Sequence, residues 1–211
     1  MSIPMADFNS LAPNYDQAID HLRADPGLAS LIDRVGPCTL RQEQQSGDLL
    51  AALVESILYQ QLSGKAAAAI HRRFLQLYDG KPLTAAAILK TSEEQLRSVG
   101  ISRPKIIYLK DLATKIPEFP PLEILTTWED EAIVQTLTQV KGIGRWTVEM
   151  LLIFRLHRWD VLPLDDLGIR SAICQLYHLP EKPTKQALLQ IGQPWQPYRT
   201  IASWYLWRSL D

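Results

Sequence analysis

An all-α protein is what this sequence predicts, on three observations. Apolar residues recur at helical spacing, most clearly Leu49, Leu50, Leu53, Val54, Ile57 and Leu58. No stretch alternates apolar and polar residues far enough to make a convincing strand. Helix start and stop signals punctuate the chain at short intervals, with Ser, Thr or Asp ahead of apolar runs and Gly or Pro behind them. At 211 residues, 46% hydrophobic and 21% charged, the chain is long enough for one large or two small cores.

Residues 1–14 show no periodic pattern. Tyr15 to Ala24 and Gly27 to Arg34 read as short helices divided by Asp25-Pro26, and Gly36-Pro37 is a break before a polar stretch, Thr39 to Ser46. The clear helical run from Asp48 to Gln61 follows. Ser63 can cap the next helix, which reaches about Tyr78 and packs closely through Ala66–Ala69. Thr84 to Lys90 is short. Thr91-Ser92-Glu93-Glu94 reads as a capping box for a helix that stops at Gly100. Ser102-Arg103-Pro104 opens another to about Ile116, Pro117 to Pro121 is a linker, and Thr127 caps a helix from Trp128 to Val140. Asp165 or Asp166 starts a helix through Tyr177. Pro183-Thr184 opens one to Ile191, and Pro197 to Leu210 is the last.

Between two of these helices the chain reads Leu137-Thr138-Gln139-Val140-Lys141-Gly142-Ile143-Gly144-Arg145-Trp146-Thr147-Val148. One helix ends near Val140, the chain reverses through two glycines that tolerate positive φ and close approach, and a new helix starts at about Gly144. The unpaired N–H groups at its tip form an anion site, for which phosphate is the obvious ligand. The helix from Arg145 to His157 is apolar nearly all round, which predicts burial. A glycine-capped turn with no ligand would look the same locally.

The net charge of −1 argues against indiscriminate polyanion binding, but the charge is uneven. Leu62 to Lys81 carries Lys65, Arg72, Arg73 and Lys81 against Asp79, whereas Glu118 to Glu131 has five acids and no base. That asymmetry fits one basic face. Two cysteines, Cys38 and Cys174, are too few for a disulfide framework and point to a reducing compartment. The start has no signal-peptide pattern and no run approaches a membrane span, so an intracellular protein is expected. His21, His71, His157 and His178 lack metal-ligand spacing, and no phosphate loop or dinucleotide fingerprint is present.

The hairpin pattern resembles that of the helix-hairpin-helix DNA glycosylase superfamily, and Asp165-Asp166-Leu167-Gly168-Ile169-Arg170 sits where that superfamily keeps its catalytic aspartate. A third patch, Ser56-Ile57-Leu58-Tyr59-Gln60-Gln61-Leu62-Ser63, resembles its wedge element. The resemblance covers roughly residues 45–211. It implies a two-lobed helical core with a cleft, in which 46–125 and 126–211 are lobes and 1–45 packs with the carboxy-terminal one. Asp166, rather than Asp165, fits the superfamily's Asp-x-x-(Ile/Val) pattern and would be catalytic, while Asp165 caps or tunes. Gln61 would be the wedge with Gln60 beside it. Ser63, Lys65, Gly142, Gly144, Arg145 and Thr147 would also meet DNA.

Bifunctional relatives place a Schiff-base lysine where this chain has Trp146, so a monofunctional enzyme with water as nucleophile is implied. Trp146 would stack on a cationic alkylpurine such as 3-methyladenine or 7-methylguanine, with Trp207, Tyr59 and either Trp204 or Tyr198 completing an aromatic pocket. Trp128, Trp159 and Trp195 read as core. No cofactor is required and two cysteines cannot hold a four-cysteine iron–sulfur cluster. A monovalent cation, Na+ or K+, at backbone carbonyls around Gln139 or Lys141, Ile143 or Gly142, and Gly144 is implied.

The expected partner is double-stranded DNA carrying alkylated bases, met by a monomer in the cytoplasm or nucleoid of a bacterium or the nucleus of a eukaryote. Two rivals stay open: a glycosylase for uracil, an oxidised or a mismatched base, and a non-catalytic hairpin module in which Asp166 only caps a helix.

Overall fold

Most helices here start where a short polar side chain can take one of the first unpaired N–H groups. Asn14 does so for α1 (Tyr15–Leu22), Asp25 for α2 (Pro26–Val35), Asp48 for α4 (Leu49–Tyr59) and Ser63 for α5 (Gly64–Gln76). Thr84 caps α6 (Ala85–Lys90), and Ser92 with Gln95 forms a capping box on α7 (Glu93–Ser98). Asp166 caps α12 (Leu167–Leu176) and Thr184 caps α13 (Lys185–Gly192). The computed structural model describes residues 14–45 and 47–211, and among them every regular element is a helix. The amino-terminal lead-in, residues 1–13, and Ser46 lie outside the described residues.

Three elements differ from the sequence expectation. A single turn, α3 (Leu40–Glu43), forms in the stretch read as polar, because Leu40 is buried. Another, α9 (Leu122–Leu125), follows the 3-10 turn Ile116–Glu118 and buries Leu122 and Leu125. As a result α10 (Asp130–Leu137) starts later than expected, with Glu129 at its N-cap, while the Thr127 hydroxyl donates to the Ile124 carbonyl. Helices α8 (Arg103–Lys115), α11 (Arg145–Phe154) and α14 (Arg199–Arg208) complete the set.

The chain divides into two compact units, residues 14–42 with 159–211, and residues 43–158. The expected boundary after residue 125 is therefore displaced to 158. The reason is that α10 and α11 are fastened to α4 and α8. The Gln60 side-chain amide donates to the Gly142 carbonyl at 2.8 Å, and Asp111 Oδ2 accepts the Lys141 N–H at 2.8 Å.

In the 43–158 unit, α4 packs on α5 and α8, and α8 on α6. Two lysines of α8 close the carboxyl ends of neighbouring helices. Lys105 Nζ donates to the carbonyls of Leu58 and Gln60, both at 2.7 Å, and Lys110 Nζ to those of Ile88, Leu89 and Thr91 at 2.6, 2.8 and 2.6 Å. These carbonyls are the ones a helix leaves without an internal donor. Burial lowers the pKa of both ammonium groups.

In the other unit α14 is buried on nearly every side, against α1, α2 and α12. Asp25 does more than cap α2: its Oδ2 accepts from the Tyr177 hydroxyl at 2.8 Å and the Trp195 indole at 3.1 Å. The extended segment from 159 to 163 is pinned along α14. Val161 N–H donates to Thr200 Oγ1 at 2.9 Å, and the Arg199 guanidinium forms two bonds with the Asp160 carboxylate. No helix among the described residues is long and apolar enough to cross a membrane.

Candidate functional site

In the 43–158 unit the hairpin turn is held by sterics as well as by hydrogen bonds. Gly142 sits at φ +81, and a Cβ there would lie 2.2 Å from Tyr108 Cδ2, so the turn rests directly on an aromatic ring. Only glycine meets both conditions. Gly144 differs from the expectation for it: it is the N-cap of α11 at φ −98, with nothing within 4 Å of a Cβ. Its backbone would suit other residues, and the space beside it is open.

A cavity of about 1020 Å³ opens in the same unit, walled by α4 and α11. Tyr59 and Glu55 come from successive turns of one helix, and Trp146, Met150 and Phe154 from successive turns of the other. This corrects the expectation of a helix buried all round, because Trp146 remains 43% exposed and its face forms the cavity wall. Thr147, expected to meet DNA, is 5% exposed and lines that wall as well. A half-buried ion pair that the sequence does not reveal also lines it, with Arg155 Nη2 2.6 Å from Glu55 Oε2.

Residues at the α4–α5 junction fall into two groups. Gln60 turns its side chain to the Gly142 carbonyl and so braces the hairpin. Gln61 is exposed at φ +56, a left-handed conformation that bulky residues seldom adopt. Ser63 caps α5 and Lys65 lies exposed in its first turn. Arg145, at the tip of α11, pairs with Glu131 of α10 at 2.7 Å, which holds the Glu131 carboxyl below its usual range.

Asp166 lies in the other unit. Its Oδ1 accepts the Ile169 N–H at 2.8 Å and the Trp207 indole N–H at 3.1 Å. Gly168 makes room for this pair, since a Cβ there would lie 3.0 Å from Asp166 Oδ1 and 3.4 Å from the Trp207 ring. The expected division of roles between Asp165 and Asp166 changes. The capping role falls to Asp166 itself, whereas Asp165 makes a surface pair with Lys185 at 2.6 Å. Trp207, expected in the aromatic pocket, donates its indole N–H to the Asp166 carboxylate. Trp204 is buried against Tyr205, and Tyr198 packs on His21 and Trp159, so both are packing residues.

A family model described as the HhH-GPD superfamily of base excision DNA repair proteins matches residues 54–197, a span that takes in the Gln60–Gln61 junction, the hairpin and Asp166. The chain belongs to that superfamily. Among curated HhH-GPD relatives, DNA-3-methyladenine glycosylase 1 of Schizosaccharomyces pombe is 36% identical over 213 residues, covering 99% of this chain and 93% of the relative. Among solved structures, the 3-methyladenine DNA glycosylase of Schizosaccharomyces pombe in complex with abasic DNA superposes with a TM-score of 0.80 at 38% identity, over 92% of this chain and 96% of that one. A DNA-3-methyladenine glycosidase from Bacillus halodurans gives 0.72 at 32% identity, over 89% and 90%.

No group of three or more His, Cys, Asp or Glu among the described residues could hold a metal ion. Three of the carbonyls considered for a monovalent cation already have protein donors. Gln139 O accepts from Lys115 Nζ at 2.5 Å, Gly142 O from Gln60, and Gly144 O from the Val148 N–H at 3.2 Å. A cation on Gln139 O would meet a fixed ammonium of the same sign, so that carbonyl does not suit the ion. Sequence reasoning missed Lys115, Asp111 and Tyr108 in this HhH-GPD hairpin. The one local signal was the Asp111–Lys115 spacing of an i,i+4 ion pair.

Proposed function

We propose that this protein is a monofunctional DNA glycosylase that removes alkylated purines, 3-methyladenine and 7-methylguanine among them, as the first step of base excision repair. The observation that carries the reading is the Asp166 carboxylate, held by a backbone N–H and an indole N–H at one oxygen. The names of the relatives, both DNA-3-methyladenine enzymes, point the same way, and one solved relative is bound to abasic DNA.

The target nucleotide must leave the stack, at a cost of about a few kcal/mol. Gln61, exposed on a tight turn, fills the vacated space, and the open N-terminus of α11 beyond Gly144 takes a backbone phosphate. The aromatic cavity at Tyr59 and Trp146 accepts the base. An alkylated purine carries positive charge, so the indole face attracts it by about 0.5–2 kcal/mol. As the C1′–N bond breaks, its electron pair leaves with the base and positive charge builds on the sugar. Asp166 stabilises that charge. Water then attacks C1′, and its proton passes to the Asp166 carboxylate. No lysine stands at position 146, so no Schiff base forms and the strand is left intact. A monomer suffices for every one of these roles.

The test is release of free base from DNA carrying methylated purines. Wild type and Asp165→Asn release 3-methyladenine or 7-methylguanine without nicking, and Asp166→Asn releases neither. Binding without release by wild type sinks the alkylpurine reading.

A further inference from the structure

Glu55 and Arg155 bring opposite charges to the cavity wall that also carries Tyr59, Trp146 and Phe154. Arg155 follows the last residue of α11, where the Gln45 N–H and the Gln44 side-chain amide donate to the Phe154 and Ile153 carbonyls at 2.9 and 3.2 Å. Gly47 leaves room for its guanidinium, since a Cβ there would lie 3.3 Å from Arg155 Nη1. Nη2 donates to Glu55 Oε2 at 2.6 Å, and the Arg155 side chain is only 13% exposed. Glu55 stands one turn before Tyr59 on α4, with its side chain 31% exposed. Its Oε1 accepts a hydrogen bond from no described residue. A fixed guanidinium thus orients a carboxylate that keeps one accepting oxygen.

An acceptor on the wall of a base pocket reads N–H groups. 7-Methylguanine carries them at N1 and N2, and 3-methyladenine at N6. Ethenoadenine, whose N1 and N6 are bridged by two carbons, has none and presents a ring nitrogen lone pair instead. We propose that Glu55, oriented by Arg155, is a specificity-determining residue of this cavity: it accepts an N–H from the edge of an alkylpurine and rejects bases that lack one. This rests on reading the cavity as the seat of the flipped base. A lone carboxylate would grip a cationic base most tightly before the bond breaks and so oppose its departure. Paired with Arg155, Glu55 adds a hydrogen bond without net charge. Ethenoadenine would set acceptor against acceptor, both stripped of water, which is how a polar site discriminates.

The experiment measures single-turnover release of 7-methylguanine and of ethenoadenine from duplex DNA. Comparing variant with wild type on each lesion cancels the different leaving tendencies of the two bases. In Glu55→Gln the amide oxygen must face Arg155, which has only donors, so the amide NH2 turns to the base. That variant loses about tenfold or more on 7-methylguanine and gains about tenfold on ethenoadenine. Replacing both partners, in Glu55→Met/Arg155→Met, keeps the pair's net charge at zero and the stability close to that of wild type. It loses about as much on 7-methylguanine and nothing on ethenoadenine.

Equal losses on both lesions, the mark of a merely structural role, overturn the proposal. So does Glu55→Gln releasing no more ethenoadenine than wild type. A loss on 7-methylguanine confined to Glu55→Gln overturns it too, because it would report the Arg155 charge repelling a cationic base. If Glu55→Gln melts below the assay temperature, the double variant decides alone. Wild type that releases neither base overturns the glycosylase reading itself, whatever the variants do.

Discussion

The Trp207 indole N–H reaches Asp166 Oδ1 across 3.1 Å, the same oxygen that caps α12. A hydrogen bond from a neutral donor to a carboxylate is worth about 1.5–3 kcal/mol. Trp207→Phe keeps an aromatic side chain but removes the indole N–H together with part of the ring, and kcat is expected to fall roughly 10- to 100-fold with KM little changed. Asp166→Ala also loses the cap and costs about 1 kcal/mol of stability, while Asp166→Asn keeps it. Steady-state kinetics beside thermal melts separate these effects. A Trp207→Phe enzyme with wild-type kcat would show the bond to be incidental.

Gly142 and Gly144 have equal weight in the sequence and unequal weight in the fold. Gly142→Ala puts a methyl group into the Tyr108 ring at positive φ and is expected to destabilise by about 2 kcal/mol or more. Gly144→Ala, with an ordinary φ and open space, costs less than about 1 kcal/mol. Urea melts of the two variants check the order, and equal losses would refute it.

Trp146 is exposed on the cavity wall, so Trp146→Ala should fold normally. Its kcat/KM for 7-methylguanine, a cationic base in DNA, is expected to drop roughly 3- to 30-fold. A neutral lesion such as hypoxanthine should lose less. Equal losses on both would mean that the indole contributes shape alone.

Alkaline pH should loosen the unit containing α14. Burial pushes the Tyr15 and Tyr205 hydroxyls from 10.0 up to about 12, and raises Tyr177 as well. Between pH 10 and 12 the unfolded chain has lost protons that the folded one retains, so stability falls as pH rises through that window and is full below it. Melting temperatures from pH 8 upward should decline beyond pH 10, less steeply in Tyr205→Phe. A flat profile to pH 11.5 would contradict the assignment.

Much of the molecule was legible in the chain because it depends on neighbours a few residues apart. Asp48, Ser63 and Thr184 cap helices three residues ahead of the amides they accept, the capping box expected over Thr91–Glu94 forms one residue on with Ser92 and Gln95, and Gly142 takes the positive φ that a tight reversal requires. That position 146 holds tryptophan and not lysine was likewise open to reading.

The partners of those residues were not. Trp207 meets Asp166 across 41 residues, Gln60 meets Gly142 across 82, Lys115 meets Gln139 across 24, and Asp111 meets Lys141 across 30. Helix periodicity says which face of a segment is apolar but not which carbonyl of another segment a buried donor will satisfy. Tertiary packing alone therefore decided that Asp166 is both cap and candidate catalyst, that Trp207 serves the carboxylate, and that a lysine sits on the hairpin carbonyl. A side chain taken out of water must find its hydrogen bond wherever the fold brings one within reach.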